Sequence, residues 1–267
     1  MSMNSSELAV FSNQMESWDP ERVLLWALER FPGQLAMTCS FGGAGTVLAH
    51  MLHRHGTDVP ILFLDTGFHF AETLQFKREF AARFGLRVID VQPALTVAEQ
   101  ERLLGAHLYD RDPDLCCRLR KVEPLSRALV EMGVKAWVSA LRRDQSATRR
   151  QIQILELHQV APDHQVVKVH PLANWTRRDV WRYIERHGLP YHPLLDDGYA
   201  SIGCWPCTER AVPGGDERSG RWPGKNKTEC GIHTFSRKVD GATGGSLKAD
   251  GVDSDAVDAG SVSTDTG

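Results

Sequence analysis

The sequence predicts an α/β fold, a parallel sheet with helices on both faces, followed by a flexible C-terminal segment. Three short apolar runs carry that reading: Gln34 to Phe41, Pro60 to Asp65 and Leu86 to Val91. Each is separated from the next by a stretch of helical periodicity. Strands that alternate with helices of this length pair in parallel.

Taken in order, a helix starts at Asp19-Pro20. Val23, Leu24, Ala27, Leu28 and Phe31 recur at helical spacing until Pro32-Gly33 stops the run. The first strand enters a glycine-rich turn, Ser40-Phe-Gly-Gly-Ala-Gly45, and an apolar helix through His50 and Leu52. After the second strand, a helix from Phe70 to Phe84 leads to the third. Trp137 to Leu141 and Val166 to Val169 read as further strands. Thr176-Arg-Arg-Asp179 resembles a capping box opening a helix from Val180 to His187, which Gly188 ends.

At 267 residues with 42% hydrophobic content, the chain can bury a core as one α/β domain or a domain plus an appendage. No apolar run approaches a membrane span. The N-terminus (MSMNSSELAVFSNQ) lacks the charged-then-apolar pattern of a secretory leader, so a cytoplasmic location with reduced thiols is expected. The net charge of −3 hides an asymmetry: from Asp240 onward six Asp face one Lys, which leaves residues 1 to 239 at about +2. That mildly basic body suits an anionic small molecule, and the missing basic excess argues against a nucleic-acid partner. The tail from 240 to 267 has the composition of a disordered segment.

Five of the six cysteines fall in three places: the adjacent pair Cys116 and Cys117, Cys204-Trp-Pro-Cys207, and a lone Cys230 in Glu-Cys-Gly-Ile-His. Four thiolates in two tight groups can close around one metal centre and leave the fifth free to react. Neighbouring cysteines can bind different irons of one iron–sulfur cluster, whereas both sulfurs of a zinc pair must converge on one atom. The adjacent pair favours a cluster and leaves zinc open. Cys39, in a buried strand, reads as core packing.

In a parallel sheet, ligands bind at the carboxyl ends of the strands. There the turn at Ser40, Gly42 and Gly43 offers backbone amides and a helix N-terminus to an anion, though it is neither a Walker loop nor a dinucleotide fingerprint. Leu64-Asp65-Thr66-Gly67 ends the second strand, with Asp65 free to receive a nucleotide hydroxyl or amine, or to cap the next helix. Arg142-Arg143-Asp-Gln-Ser-Ala-Thr-Arg149-Arg150 follows the fourth strand as an arginine-dense loop suited to phosphate or sulfate oxygens. A solvated charged loop is the alternative.

These pieces, together with Cys116-Cys-Arg-Leu-Arg-Lys-Val-Glu-Pro-Leu125, Pro171-Leu-Ala-Asn-Trp-Thr176, Leu189-Pro-Tyr-His-Pro-Leu194, Gly198 to Thr208 and Glu229-Cys-Gly-Ile-His233, resemble the sulfonucleotide reductases. The resemblance spans roughly Gln34 to His233. It implies the adenine-nucleotide α-hydrolase (PP-loop) fold. With all four paired cysteines present, it implies the branch of the family that carries one [4Fe-4S] cluster per chain on Cys116, Cys117, Cys204 and Cys207. Members of that branch reduce adenylyl sulfate to sulfite and AMP with thioredoxin. Gly45 and Thr46 depart from the ATP-using PP-loop pattern, which puts ATP hydrolysis in doubt.

Cys230 is then the nucleophile. Its thiolate attacks the substrate sulfur, and an external dithiol releases sulfite from the S-sulfo-cysteine. Loop position and resemblance together nominate Ser40, Gly42, Gly43, Leu64, Asp65, Lys121, Arg142, Arg143, Arg149, Arg218, Arg221 and His233 for substrate binding. Lys121, Arg149, Arg218 and Arg221 are the expected cations at the leaving phosphate. The expected organisation is a sulfonucleotide-binding domain over 1–210, a mobile catalytic segment over 211–239 and the acidic tail. A reductase for 3′-phosphoadenylyl sulfate that keeps a cluster, and a zinc module that binds nucleic acid, are the alternatives. The oligomeric state is left open.

Overall fold

The computed structural model describes residues 4–233, so the acidic tail and the last residues of the expected mobile segment lie outside the described residues. The first half runs α1 (Ser5–Gln14), α2 (Pro20–Arg30), β1 (Leu35–Thr38), α3 (Gly43–Arg54), β2 (Ile61–Leu64), α4 (Ala71–Phe84) and β3 (Val88–Val91). Then come α5 (Val97–Leu104), α6 (Leu108–Arg111), α7 (Pro113–Cys117), a π-helical turn (Arg118–Val122), α8 (Glu123–Glu131) and β4 (Ala136–Val138). A hairpin of β5 (Leu155–Ala161) and β6 (His164–Val169) precedes α9 (Arg177–His187). Local chemistry sets the helix starts: Asn4, Asp19, Thr96 and Thr176 each accept a hydrogen bond from the amide three residues on.

The sheet order is β3-β2-β1-β4-β6-β5. From β1 the chain moves outward to β2 and β3, then returns to β4 on the other side of β1. That reversal opens a crevice at the carboxyl ends of β1 and β4. Alternation along the strands gives two cores. Leu35, Met37, Phe63, Val138 and Val169 face α2, α3, α4 and α9 through Leu24, Leu48, Phe80 and Ile184. Ala36, Leu62, Trp137 and Val166 face the other way, against Leu125 and Leu129 of α8. The expected helices on both faces are present.

Two features differ from the sequence expectation. The sheet is mixed, because β5 pairs antiparallel with β6. The two-residue turn Pro162-Asp163 allows no other sense, since a parallel pair needs a long crossover. The alternation that would have marked β5 is broken by Glu156 and by His158, which is buried. Strands β1 and β4 are also shorter than their apolar runs. Residues 39–42 and 139–142 leave the sheet to form loops, and Phe41 adopts a left-handed φ of 56°.

Three histidines are folded away uncharged. Burial pushes His50, His158 and His192 down to about 4. His192 shares a 2.9 Å hydrogen bond with Thr73 Oγ1, and His50 one of 3.0 Å with the Tyr183 hydroxyl. A folded-state pKa below the unfolded value means the unfolded chain binds more protons. The stabilisation is complete above about pH 6.5 and is lost as pH falls toward 4. The urea midpoint is therefore expected to be lower at about pH 5 than at about pH 7.5. A midpoint that holds or rises on acidification would contradict this.

Candidate active site

A cavity of about 230 Å³ lies at the carboxyl ends of β1, β2 and β4. Ser40, Gly42 and Gly43 line it after β1, Leu64 at the end of β2 and Thr66 just beyond it, and Ser139 and Leu141 after β4. Gly42 caps α3 without a side-chain hydrogen bond, which leaves first-turn amides for an anion. The helix sits close to the strand end: a Cβ on Gly45 would come 2.9 Å from Cys39 Sγ. Burial pushes the Cys39 thiol up to about 12, in keeping with a packing role.

The far wall comes from the C-terminal segment, with Arg218, Arg221, Trp222, Cys230 and His233 on the lining. Ion pairs fasten this segment to the body. Glu217 meets Arg142 Nη2 at 2.5 Å, Lys225 meets Asp110 at 2.9 Å, Lys227 meets Asp114, and Glu229 meets Arg149 at 2.7 Å, while within the segment Glu229 also stands 3.3 Å from Arg218. Trp222, 1% exposed, anchors it further, with the guanidinium of Arg221 4.7 Å from its ring. Arg221 crosses Gly203 so closely that a Cβ there would overlap it. Among the described residues, the buried His69 Nδ1, Arg218 Nε, Trp222 Nε1 and His233 Nδ1 have no hydrogen-bond partner, and all four residues line the cavity. Such atoms call for a polar ligand.

Of the nominated substrate residues, Ser40, Gly42, Gly43, Leu64, Lys121, Arg149, Arg218, Arg221 and His233 line the cavity. Three do not. The Asp65 carboxylate accepts from the Gly67 amide within its own turn. Arg142 is consumed by Asp144 and Glu217, and Arg143 by Glu16 and Asn174. An arginine-dense loop offers few of its guanidinium groups to a ligand when carboxylates of the same chain reach them first.

The paired cysteines meet next door. Cys116 and Cys117 stand on α7, just before the π-helical turn, and Cys204 and Cys207 bracket a 3₁₀ turn. All four are buried in one cluster with Phe68, Leu108 and Trp222, and Cys230 packs against it. All four also line one small pocket together with Arg120 and Lys121. Burial, then the neighbouring sulfurs, push Cys116 up to about 12. Burial pushes Cys117 to about 11, against the pull of Lys121. Cys204 goes the other way: burial raises it, but Lys121, Thr66 and Arg221 together bring it below the ordinary thiol value.

Lys121 lines both the thiol pocket and the main cavity. Burial disfavours its charge, yet Cys204, Cys117 and Cys230 more than offset that and hold its pKa above the usual lysine value. Among the described residues, no three metal-ligating side chains already converge as a set for a single ion. The donor chemistry fits a multi-atom cluster: four thiols around one pocket, too mutually repulsive to ionise together without added positive charge.

Several lining residues were not nominated from sequence, among them Thr38, His69, Ser139, Gln145 and Glu217. For Ser139 the available signal was its place directly after β4. For Glu229, which adjoins the lining, it was adjacency to Cys230.

The chain is similar to known proteins in sequence and in fold. The model of the phosphoadenosine phosphosulfate reductase domain matches residues 34–210. An adenosine 5′-phosphosulfate reductase of Bacillus cereus is 44% identical over 84% of this chain and 94% of its own length. The crystal structure of a phosphoadenylyl-sulfate reductase from Candida auris, a phosphate complex, superposes with a TM-score of 0.67. It is 31% identical over 78% of this chain and 99% of the other. An FMN adenylyltransferase from Candida glabrata, 15% identical with a TM-score of 0.57 over 80% of this chain and 68% of its own, shares the fold alone. The matched domain covers both cysteine pairs and most of the cavity, and on that ground the chain belongs to the phosphoadenosine phosphosulfate reductase domain family.

Proposed function

We propose that this chain reduces adenylyl sulfate to sulfite and AMP, with Cys230 as nucleophile and a thioredoxin dithiol as reductant. The observation that carries the proposal is the position of Cys230. It is on the lining of a cavity that also presents Lys121, Arg149, Arg218 and Arg221, and it packs against the four paired cysteines. The relatives named adenosine 5′-phosphosulfate reductase support the unphosphorylated nucleotide as substrate.

The amides at Gly42 and Gly43 and the side chains of Lys121 and Arg221 hold the anionic groups, while Leu64 and Ser40 border the nucleoside. The Cys230 thiolate attacks the sulfate sulfur. The bond from that sulfur to the bridging phosphate oxygen breaks, and AMP leaves with the electron pair, its charge met by the cavity cations. A thioredoxin thiolate then attacks Cys230 Sγ, and sulfite departs with the electrons of the sulfur–sulfur bond. The second thioredoxin thiol displaces Cys230 from the mixed disulfide. Sulfur gains two electrons and the dithiol loses two.

Cys116, Cys117, Cys204 and Cys207 would hold the [4Fe-4S] cluster, which supplies structural cross-linking and charge beside Lys121. Residues 211–233 open to bring the S-sulfo-cysteine to thioredoxin, and their ion pairs close them again. The free thiols suit a reducing cytoplasm. Anaerobically purified protein is expected to contain about four irons with matching sulfide per chain. One zinc without sulfide would overturn the cluster assignment.

A further inference from the structure

We infer that Glu229 is a positioning residue for the nucleophile, a carboxylate tether that fixes where Cys230 stands over the cavity. The inference rests on the reading of Cys230 as the attacking thiolate. Glu229 is almost wholly buried, its side chain only 8% exposed. Arg149 grips it bidentately, Nε to Oε1 and Nη2 to Oε2, both at 2.7 Å. Thr148 Oγ1 donates to Oε1 at 3.1 Å, and Arg218 Nη2 stands 3.3 Å from Oε2. Arg149 is itself oriented, donating at 2.5 Å to Gln145 Oε1. Arg218 also donates to the Thr228 carbonyl at 2.9 Å. Burial works against the Glu229 charge, but Arg149 and then Arg218 hold its carboxyl below the ordinary carboxylate range.

Cys230 is the next residue along the chain, its Cα about 3.8 Å away. Fixing the Glu229 carboxylate therefore confines the thiol to a small arc. On the far side the chain is held again: Ile232 packs against the Trp137 core, and the His233 ring stacks on Trp137 at 5.5 Å with an 18° interplanar angle. The nucleophile hangs between two anchors, one ionic and one apolar. A buried ion pair adds little net stability, but losing one partner strands the other charge, so such a pair is better suited to specifying position than to strengthening the fold.

The tether makes a prediction that a substrate ligand would not. Glu229 offsets part of the positive charge of Arg149 and Arg218, two of the cations that line the cavity. Removing its charge should misplace Cys230 while leaving the cavity more attractive to an anion. Glu229→Gln is expected to slow single-turnover formation of the Cys230 S-sulfo adduct from adenylyl sulfate by about 100-fold, the scale of a misplacement near one ångström. AMP should bind as tightly as to the unaltered chain or more tightly. Alkylation of Cys230 by iodoacetamide, followed by peptide mass, should accelerate about 10-fold as the segment loosens.

Glu229→Asp keeps the charge with a shorter reach. It should retain slow alkylation and recover part of the adduct rate, and it serves if the glutamine variant does not fold. Unchanged adduct formation and alkylation in Glu229→Gln would overturn the tether. So would a loss of AMP affinity that matches the loss of rate, which would make Glu229 part of the binding site. If the unaltered chain forms no adduct at Cys230, the proposed nucleophile fails instead, and the alkylation comparison still decides the tether.

Discussion

Cys230→Ser is expected to abolish sulfite release, by at least about four orders of magnitude, while leaving nucleotide binding and the metal content intact. Two physical reasons combine. A serine hydroxyl is not ionised near neutral pH, whereas a thiol is far more acidic and intrinsically the stronger nucleophile. Even if the oxygen were sulfated, the product would be a sulfate ester with no sulfur–sulfur bond for a dithiol to cleave, so no electrons could pass. The structural cost is small. Cys230 is only half-buried and lies at the edge of the thiol cluster, so the substitution opens no core cavity. Sulfite measured by a coupled assay, with the intact-protein mass after one turnover, checks the expectation. Turnover within tenfold of the unaltered chain would remove Cys230 from the mechanism.

Lys121→Ala is the second large effect, because this one ammonium serves two neighbours at once. It lines the cavity and the thiol pocket, and its charge helps to hold the Cys204 thiol below the ordinary value. Without it, the negative charge that builds on the leaving phosphate and the charge on the sulfurs lose their shared counter-ion in a water-poor site. A loss of about 100-fold or more in kcat/KM is expected, the scale seen when a preorganised charge partner is removed. The fall in kcat should come with a rise in KM, since the cation meets the anionic substrate when it binds and more negative charge as the phosphate leaves. Lys121→Arg should recover binding better than turnover, because a guanidinium fork is too wide for the place of a compact ammonium. If the Ala variant kept full activity, Lys121 would be a structural neighbour of the thiols and nothing more.

The parts of this molecule that the sequence made legible are those set by local pattern. β1, β2 and β3 are apolar runs bounded by turns, and Thr176 opens α9 with the capping box its spacing suggests. The glycine turn after β1 follows from strand-to-helix chemistry, and its place at the cavity follows from the parallel sheet. What the pattern hid has a physical cause in each case. Strand β5 carries Glu156 and the buried His158 where an apolar residue would have marked a strand. The stretch from α5 to α8, which delivers Cys116 and Cys117, is a chain of short helices joined by a π-helical turn, too irregular for a periodicity reading.

At the site, charge alone could not say which arginines face the ligand. Arg142, Arg143 and Arg149 lie in one loop and each pairs with a carboxylate distant in sequence, Glu217, Glu16 and Glu229, but of the three only Arg149 also lines the cavity. Glu229 was hidden for the converse reason. Its role depends on Arg149, a partner remote along the chain, that only the fold brings within reach.

If the unphosphorylated sulfonucleotide is the substrate and Cys230 its acceptor, the chain must use the two sulfonucleotides unequally. The direct test is sulfite release by anaerobically purified protein with reduced thioredoxin, measured separately on adenylyl sulfate and on its 3′-phosphorylated form. A kcat/KM for adenylyl sulfate at least about 100-fold the higher, a gap of roughly 3 kcal/mol, is the predicted result. Preference for the 3′-phosphorylated nucleotide would contradict it, leaving the fold and the family in place but severing the four paired cysteines from the choice of substrate.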